Sequence, residues 1–221
     1  MTVTLPKYAS VSRCQGCTLP AVPVEKLTRE RRRQQTRDVL VEAATEVFAR
    51  RGYEGASLEE IAETAGFTRG AIYKHFAGKE ELFFAVTDGA NQRVIESFRA
   101  IAPADPDSTE WDVARLADLW RASVTGADDI LSIGMEYQLY VLRNPSARTR
   151  AAAHQRRNRE LVTAFIEEVA DRTGMTLRLP AATLASVILA AADGLNYAAR
   201  VDGEDLFAPF LELLNAGMVV D

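Results

Sequence analysis

The sequence predicts an all-α protein with a small three-helix head followed by a larger helical bundle. Three observations carry that expectation. Beyond residue 28, apolar residues recur at three- and four-residue spacing, and no stretch alternates with period two. Short breaks containing Gly, Pro or Asn-Pro separate the helical stretches. A chain of 221 residues, nearly half of them apolar, is long enough to bury a real core, in one large domain or two small ones.

Residues 1–28 read as a loose extension, with Pro6, Pro20 and Pro23, scattered polar residues and no helical period. Cys14 and Cys17 form a C-x-x-C pair there. A redox pair of this type needs a strand-to-helix setting, and a structural zinc needs two further ligands. Two free thiols are the simpler reading. From Leu27 the chain turns helical and strongly basic, with Arg29, Arg31, Arg32 and Arg33 leading into an apolar stripe of Val39, Leu40, Ala43, Ala44, Val47 and Phe48. Those arginines suit either a phosphate backbone or plain solvent. Gly52 and Tyr53 end the helix.

Residues 57–76 hold two short helices. Ser57 and Glu60 form an S-x-x-E capping box, and Leu58, Ile61, Ala62 and Ala65 give the first helix one buried face. Gly66 stands where a chain leaving a helix needs a left-handed residue. Thr68 is placed to cap the second helix, whose inner face is Ile72 and Phe76. A long helix follows from about Lys79 to Ala100, broken by Pro103 and Pro106. Five further helical stretches fit residues 108–124, 128–142, 146–173, 181–200 and 204–218. Short connections between them imply an antiparallel bundle.

Net charge is −5, but it is unevenly placed. Up to Lys79 there are 13 basic and 9 acidic residues, and from Glu80 onward 13 basic and 22 acidic. A basic head on an acidic body is compatible with a polyanionic partner, because the location of the cations matters more than the sum. No apolar run reaches the roughly 20 residues of a membrane span, and no signal sequence is apparent, so a cytoplasmic protein is expected. With two histidines and no nucleophile, base and orienting group at a recognisable spacing, neither an enzyme nor a metal or cofactor protein is expected.

Two short helices with a glycine turn, the second basic and aromatic, form a unit that the DNA major groove admits. The pattern resembles the TetR family of bacterial transcriptional regulators over about Thr36 to Arg93. The matching residues are the run VLVEAATEVFARRGY, Ser57-Leu58-x-x-Ile61-Ala62, Ala65-Gly66, Gly70-x-Ile72-Tyr73-x-His75-Phe76 and Lys79-Glu80-Glu81-Leu82. The resemblance implies a helix-turn-helix DNA-binding domain over residues 29–95 and a helical effector-binding and dimerisation domain over 96–221. It further implies a dimeric, ligand-responsive repressor of a near-palindromic operator, released by a small hydrophobic or aromatic effector. A DNA-binding regulator or architectural protein without an effector, or a helical enzyme, are the alternatives.

Chemistry and resemblance together assign roles in the head. Arg69 and Lys74 carry donors for guanine edges, Ala71 suits a thymine methyl, and Gly70 leaves room for close backbone approach. Ser57, Tyr73, His75 and Lys79 fit phosphate contacts, with domain packing as the alternative for Tyr73 and His75, and Thr68 is a further expected DNA-binding residue. In the bundle, Trp111, Trp120, Met135, Glu136, Tyr137, Tyr140, Asn158, Phe165, Asn196 and Tyr197 are candidate effector contacts, residue types that are more often core than ligand contact. Glu136, if it faced inward, would suit a cationic aromatic ligand. The last two helices have too little polar surface, and Leu184, Val187, Ile188, Ala191, Leu195, Phe207, Phe210 and Leu214 are the expected dimer interface.

Overall fold

The computed structural model describes residues 28–103, 112–125 and 130–218, so the N-terminal extension with Cys14 and Cys17, and also Trp111, lie outside the described residues. The described residues form nine α-helices and one 3-10 turn: α1 Arg29–Gly55, α2 Leu58–Thr64, α3 Arg69–Tyr73, α4 Lys79–Arg99, α5 Val113–Thr125, α6 Ile130–Arg143, the turn Pro145–Ala147, α7 Arg148–Thr173, α8 Ala181–Val201 and α9 Phe207–Met218. The expected helices are present, with shifted starts that have local causes. Thr28 opens α1, its hydroxyl accepting from Arg31 N at 3.3 Å. Pro145 turns the chain into α7 through a 3-10 step. The α9 start moves from Glu204 to Phe207, where Asp205 Oδ1 accepts from Phe207 N at 3.2 Å and takes up an orphan donor.

Helix α1 buries Leu40, Ala43, Ala44, Val47 and Phe48, whereas Val39, predicted to share that stripe, faces outward. Its regular winding stops at Gly52, whose φ of 72° is left-handed. The core of the head joins these residues to Leu58, Ile61, Ile72, Phe76 and Leu82, and continues into Ile133 and Tyr137 of α6 and Ala151 of α7. A second cluster unites Ile95 of α4 with Val162, Phe165, Ile166 and Val169 of α7 and with Leu184 of α8. A third joins α5 to α9, where the Trp120 and Phe207 rings stack 4.5 Å apart and nearly parallel.

The apolar excess on α8 and α9 divides differently from the expectation. Leu184 and Phe207 are 3% and 5% exposed, already covered within the chain, so they offer no surface to a partner. Ile188, Leu195, Phe210 and Leu214 turn toward an internal cavity. The row left outside on α8 is Val187, Ala190, Gly194, Tyr197 and Val201, spaced by three and four residues. Among the described residues, α8 is the one helix long and apolar enough to cross a bilayer by length and composition. It packs on α7 and bonds to α6 through Gln138–Asp193 (2.9 Å) and Arg200–Ser132 (3.1 Å), with the outer row left uncovered.

The end of α1 meets the bundle at one corner. The Glu136 carboxylate accepts from Tyr53 N at 2.8 Å and from Glu54 N at 2.9 Å, the two donors exposed where Gly52 breaks α1. A Cβ on residue 52 would run into that carboxylate. Gly52→Ala therefore meets two penalties, a left-handed φ and displacement of Glu136. The expected loss is at least about 2 kcal/mol, from the conformational cost and the two hydrogen bonds to a charged acceptor. Urea unfolding should show it as a lower midpoint at unchanged slope.

Candidate nucleic-acid interface and its link to an internal cavity

The two-helix unit is built as its capping residues require, with one substitution of partner. Ser57 Oγ accepts from Glu60 N at 3.1 Å, one half of the capping box. The Glu60 carboxylate turns instead to α1, pairing with Arg50 at 2.8 Å and Arg51 at 3.2 Å, and those guanidinium groups hold it below the usual carboxylate range. Gly66 has φ 69°, as its place after α2 demands. Thr68 precedes α3 in extended conformation, but its hydroxyl makes no cap bond; its carbonyl accepts from Ala71 N at 2.8 Å. The Thr68 side chain is thus left at the exposed entrance of α3.

Helix α3 buries Ile72, with Phe76 beneath it, and presents Arg69, Gly70, Tyr73 and Lys74 outward. Ala71 and His75 are partly covered. Arg69 bridges Glu59 of α2 and the Tyr73 hydroxyl (3.0 Å), with its guanidinium 5.5 Å from the Tyr73 ring centre. The charge is therefore held in place by exposed neighbours that a stronger anion can replace. Arg37 of α1 lies 4.3 Å over the Phe76 ring, which brings the basic first helix alongside α3. Burial, followed by the charges of Arg33, Arg37 and Lys74, lowers the His75 pKa below the ordinary imidazole value.

Lys79 is placed otherwise than a simple outward phosphate contact. Its ammonium donates to Glu54 O at 3.2 Å and Ala56 O at 3.0 Å and lies 4.9 Å from the Tyr53 ring centre. Two of its three donors therefore tie α4 to the end of α1, on the same corner that Glu136 grips from the other side. Burial lowers its pKa.

A cavity of about 670 Å³ lies within the bundle, walled by α4, α5, α6, α7, α8 and α9. Of the candidate effector contacts, Trp120, Met135, Asn158, Phe165 and Asn196 are on its wall. Glu136, Tyr137 and Tyr140 are not. Glu136 is spent on the Gly52 corner, which removes it as a counter-charge for a cationic ligand. Tyr137 and Tyr140 pack on Tyr53, with centroids at 4.9 and 5.2 Å, and the Tyr137 hydroxyl donates to Glu80 at 2.7 Å. Burial and that carboxylate raise the Tyr137 pKa. Tyr197 stands half exposed in the outer row of α8.

Helix α4 touches both head and cavity, through Leu82 and Phe83 on one side and Asn91 and Phe98 on the other. Helix α6 does so as well, since Gly134, Met135 and Gln138 face the cavity while Ile133, Glu136 and Tyr137 face the head. Where α4 crosses α7, Asn91 Nδ2 donates to Asn158 Oδ1 at 3.1 Å and the Phe84 and His154 rings stack at 4.2 Å. His154 Nε2 lies 3.2 Å from Thr87 Oγ1 and its Nδ1 3.3 Å from Asp88 Oδ1, the latter without hydrogen-bond geometry. These partners are 67 residues apart for Asn91–Asn158 and 83 for Tyr53–Glu136, so no local sequence signal announces them.

An exposed basic helix behind a glycine turn, carried on a helical body with an internal cavity, defines a helix-turn-helix regulatory protein. The family profile described as bacterial regulatory proteins, tetR family, matches residues 40–86. Relatives agree. The chain is 28% identical over 168 residues to the HTH-type transcriptional repressor AcnR of Corynebacterium efficiens, spanning 72% of this chain and 79% of that one. It is 38% identical over 76 residues to the HTH-type transcriptional regulator AcrR of Shigella flexneri, a stretch that is 33% of this chain and 35% of that protein's length. A TetR-family transcriptional regulator of Pectobacterium atrosepticum superposes with TM-score 0.53 at 28% identity, covering 88% of this chain and 99% of that one. Residues 40–86 thus match the tetR family of bacterial regulatory proteins, and the chain is similar in fold to a TetR-family transcriptional regulator.

The two described histidines generate a prediction about pH. Both have pKa values lowered from 6.5, His75 and His154 each chiefly through burial. The unfolded chain therefore takes up protons first as pH falls. Stability from this source is complete above the unfolded pKa and declines below it. Urea unfolding at pH 7.5 and 5.5 should show a decrease at the lower pH, and the doubly substituted His75→Gln, His154→Gln protein should show a smaller one.

Proposed function

We propose that this chain is a ligand-responsive repressor that reads a near-palindromic operator as a homodimer in the cytoplasm and is released by a small hydrophobic effector. The observation that carries the reading is the division of α6, with one face on the Gly52 corner of the head and the other on the cavity. Residues 29–95 act as the DNA-binding domain and 96–221 as the effector-binding and dimerisation domain, with α4 crossing between them.

In this reading Arg69 exchanges Glu59 for a guanine edge, and Lys74 reaches a neighbouring base. Ala71 packs on a thymine methyl, and Gly70 permits close approach. Ser57, Thr68, Tyr73 and His75 bind phosphates, and Lys79 contributes its third donor while holding α4 to α1. The effector contacts narrow to Trp120, Met135, Asn158, Phe165 and Asn196. The dimer is closed by the outer row of α8, where Gly194 allows two backbones to approach. Two heads on one axis then reach successive major grooves about 34–36 Å apart.

Selection from a randomised site library tests the base-reading role. Arg69→Ala should relax preference at particular base pairs, at a cost of about 1–3 kcal/mol there; unchanged relative affinities would show that Arg69 reads no base. The assembly is tested by light scattering. Val187→Glu should yield monomers with little operator affinity, because one head alone contacts too few base pairs, whereas a monomeric parent protein would overturn the dimer.

A further inference from the structure

We propose that the effector is an uncharged, largely apolar molecule with one buried hydroxyl or N–H that donates a hydrogen bond to Asn196 Oδ1. This rests on the reading of the cavity as an effector site and deepens it. Asn196 is 5% exposed, and its Oδ1 is buried without a hydrogen-bond partner. It lines the 670 Å³ cavity, whose volume is in the range that encloses most of a drug-sized ligand.

A buried amide oxygen lacking a donor is costly, since it gives up water and receives nothing in return. The neighbouring wall supplies no remedy. Asn196 faces a lining dominated by aliphatic and aromatic side chains such as Phe98, Trp120, Val162, Phe165 and Leu195. The other amide pair, Asn91 with Asn158, is bonded to itself. The ionisable side chains on the lining are Arg93, Asp193 and Arg200, all exposed, and Asp193 and Arg200 are bonded to Gln138 and Ser132 of α6. No charged side chain is buried in the lining, and burying an unpaired ion there is strongly unfavourable. Asn196 Oδ1 is an acceptor of this wall without a donor, closed off from the cavity in the free protein, so that a ligand reaches it by a turn of the amide. A ligand that brings a donor satisfies the amide and fills apolar space in the same event.

The position has a consequence for signalling. Asn196 lies on α8 between Asp193 and Arg200, the two residues that bond α8 to α6, and α6 holds the Gly52 corner through Glu136. A ligand bonded to Asn196 thus binds against the wall that leads to the head.

The test uses matched pairs that differ only in the donor, 1-naphthol against 1-methoxynaphthalene and indole against N-methylindole, titrated calorimetrically into the full-length protein and into Asn196→Leu. In the parent the donor compound of a pair should bind about three- to tenfold more tightly than its methylated partner, the range of one net hydrogen bond. In Asn196→Leu the preference should vanish, and thermal melting of the free variant, no lower than the parent's, would show that it is folded. If both members of a pair bind equally to the parent, or if the variant keeps the preference, the Asn196 assignment is overturned while the effector cavity stands. If no compound of either pair binds the parent, the cavity reading falls together with the proposal.

Discussion

The structure depends on one carboxylate. Glu136 receives both backbone donors that appear where Gly52 interrupts α1, and in doing so fixes the head on the bundle. Those N–H groups belong to Tyr53 and Glu54, whose neighbouring carbonyls, at Glu54 and Ala56, are occupied by Lys79. The same short turn is therefore held by an anion on its donors and a cation on its acceptors. Between the two lies the Tyr53 ring, packed on Phe83, Tyr137 and Tyr140. Charged hydrogen bonds with shared aromatic cover make this joint stiffer than a plain apolar contact, and they make it directional.

The division of charge follows from that joint. The basic surface, Arg33, Arg37, Arg69 and Lys74, gathers at α3 and the start of α1, while acidic groups near it are engaged: Glu60 with Arg50 and Arg51, Glu59 with Arg69. Glu80, at the start of α4, is engaged by Arg150 and Tyr137. An exposed ion pair such as Glu59–Arg69 contributes little stability, so a phosphate or base that competes for Arg69 gives up little in folding. The charged groups at the joint, Glu136 and Lys79, bond main-chain N–H and C=O groups instead.

What the sequence makes legible is what is local. The stripe of α1, the Ser57 cap, the Gly66 turn and the inner pair Ile72 and Phe76 depend on residues three to ten positions apart, and periodicity exposes them. The Val39 position fails because a stripe one residue too wide looks the same as the right one. Helices α8 and α9 show the limit more clearly. Their excess of apolar residues is visible, but an apolar side chain can face a neighbouring helix, a cavity or another subunit, and composition does not distinguish the three. Leu184 went to the first, Leu195 to the second, and Val187 was left outside. Glu136 was readable only as an acid among tyrosines. Its partners are amides of the main chain, which no side-chain pattern records.

Two links between cavity and head, α4 and α6, constrain how any signal can travel. A ligand shifts an equilibrium only by its difference in affinity between two arrangements, so the cavity must change shape when the head moves. If α4 alone crossed the boundary it could swing with the head, and the cavity wall would follow along one side. With α6 fastened to the Gly52 corner, the head cannot rotate about α4 unless α6 moves or the Glu136 bonds break. Breaking them would expose two amides and a carboxylate, which costs more than the roughly 1–3 kcal/mol typical of allosteric coupling. The economical motion keeps the corner intact and carries α6 along with the head. Gly134, Met135 and Gln138 then move against α8, and the cavity widens or narrows at the Asn196 wall. In the proposed reading the coupling is concentrated where the ligand's one polar contact would lie, and not spread over the apolar lining.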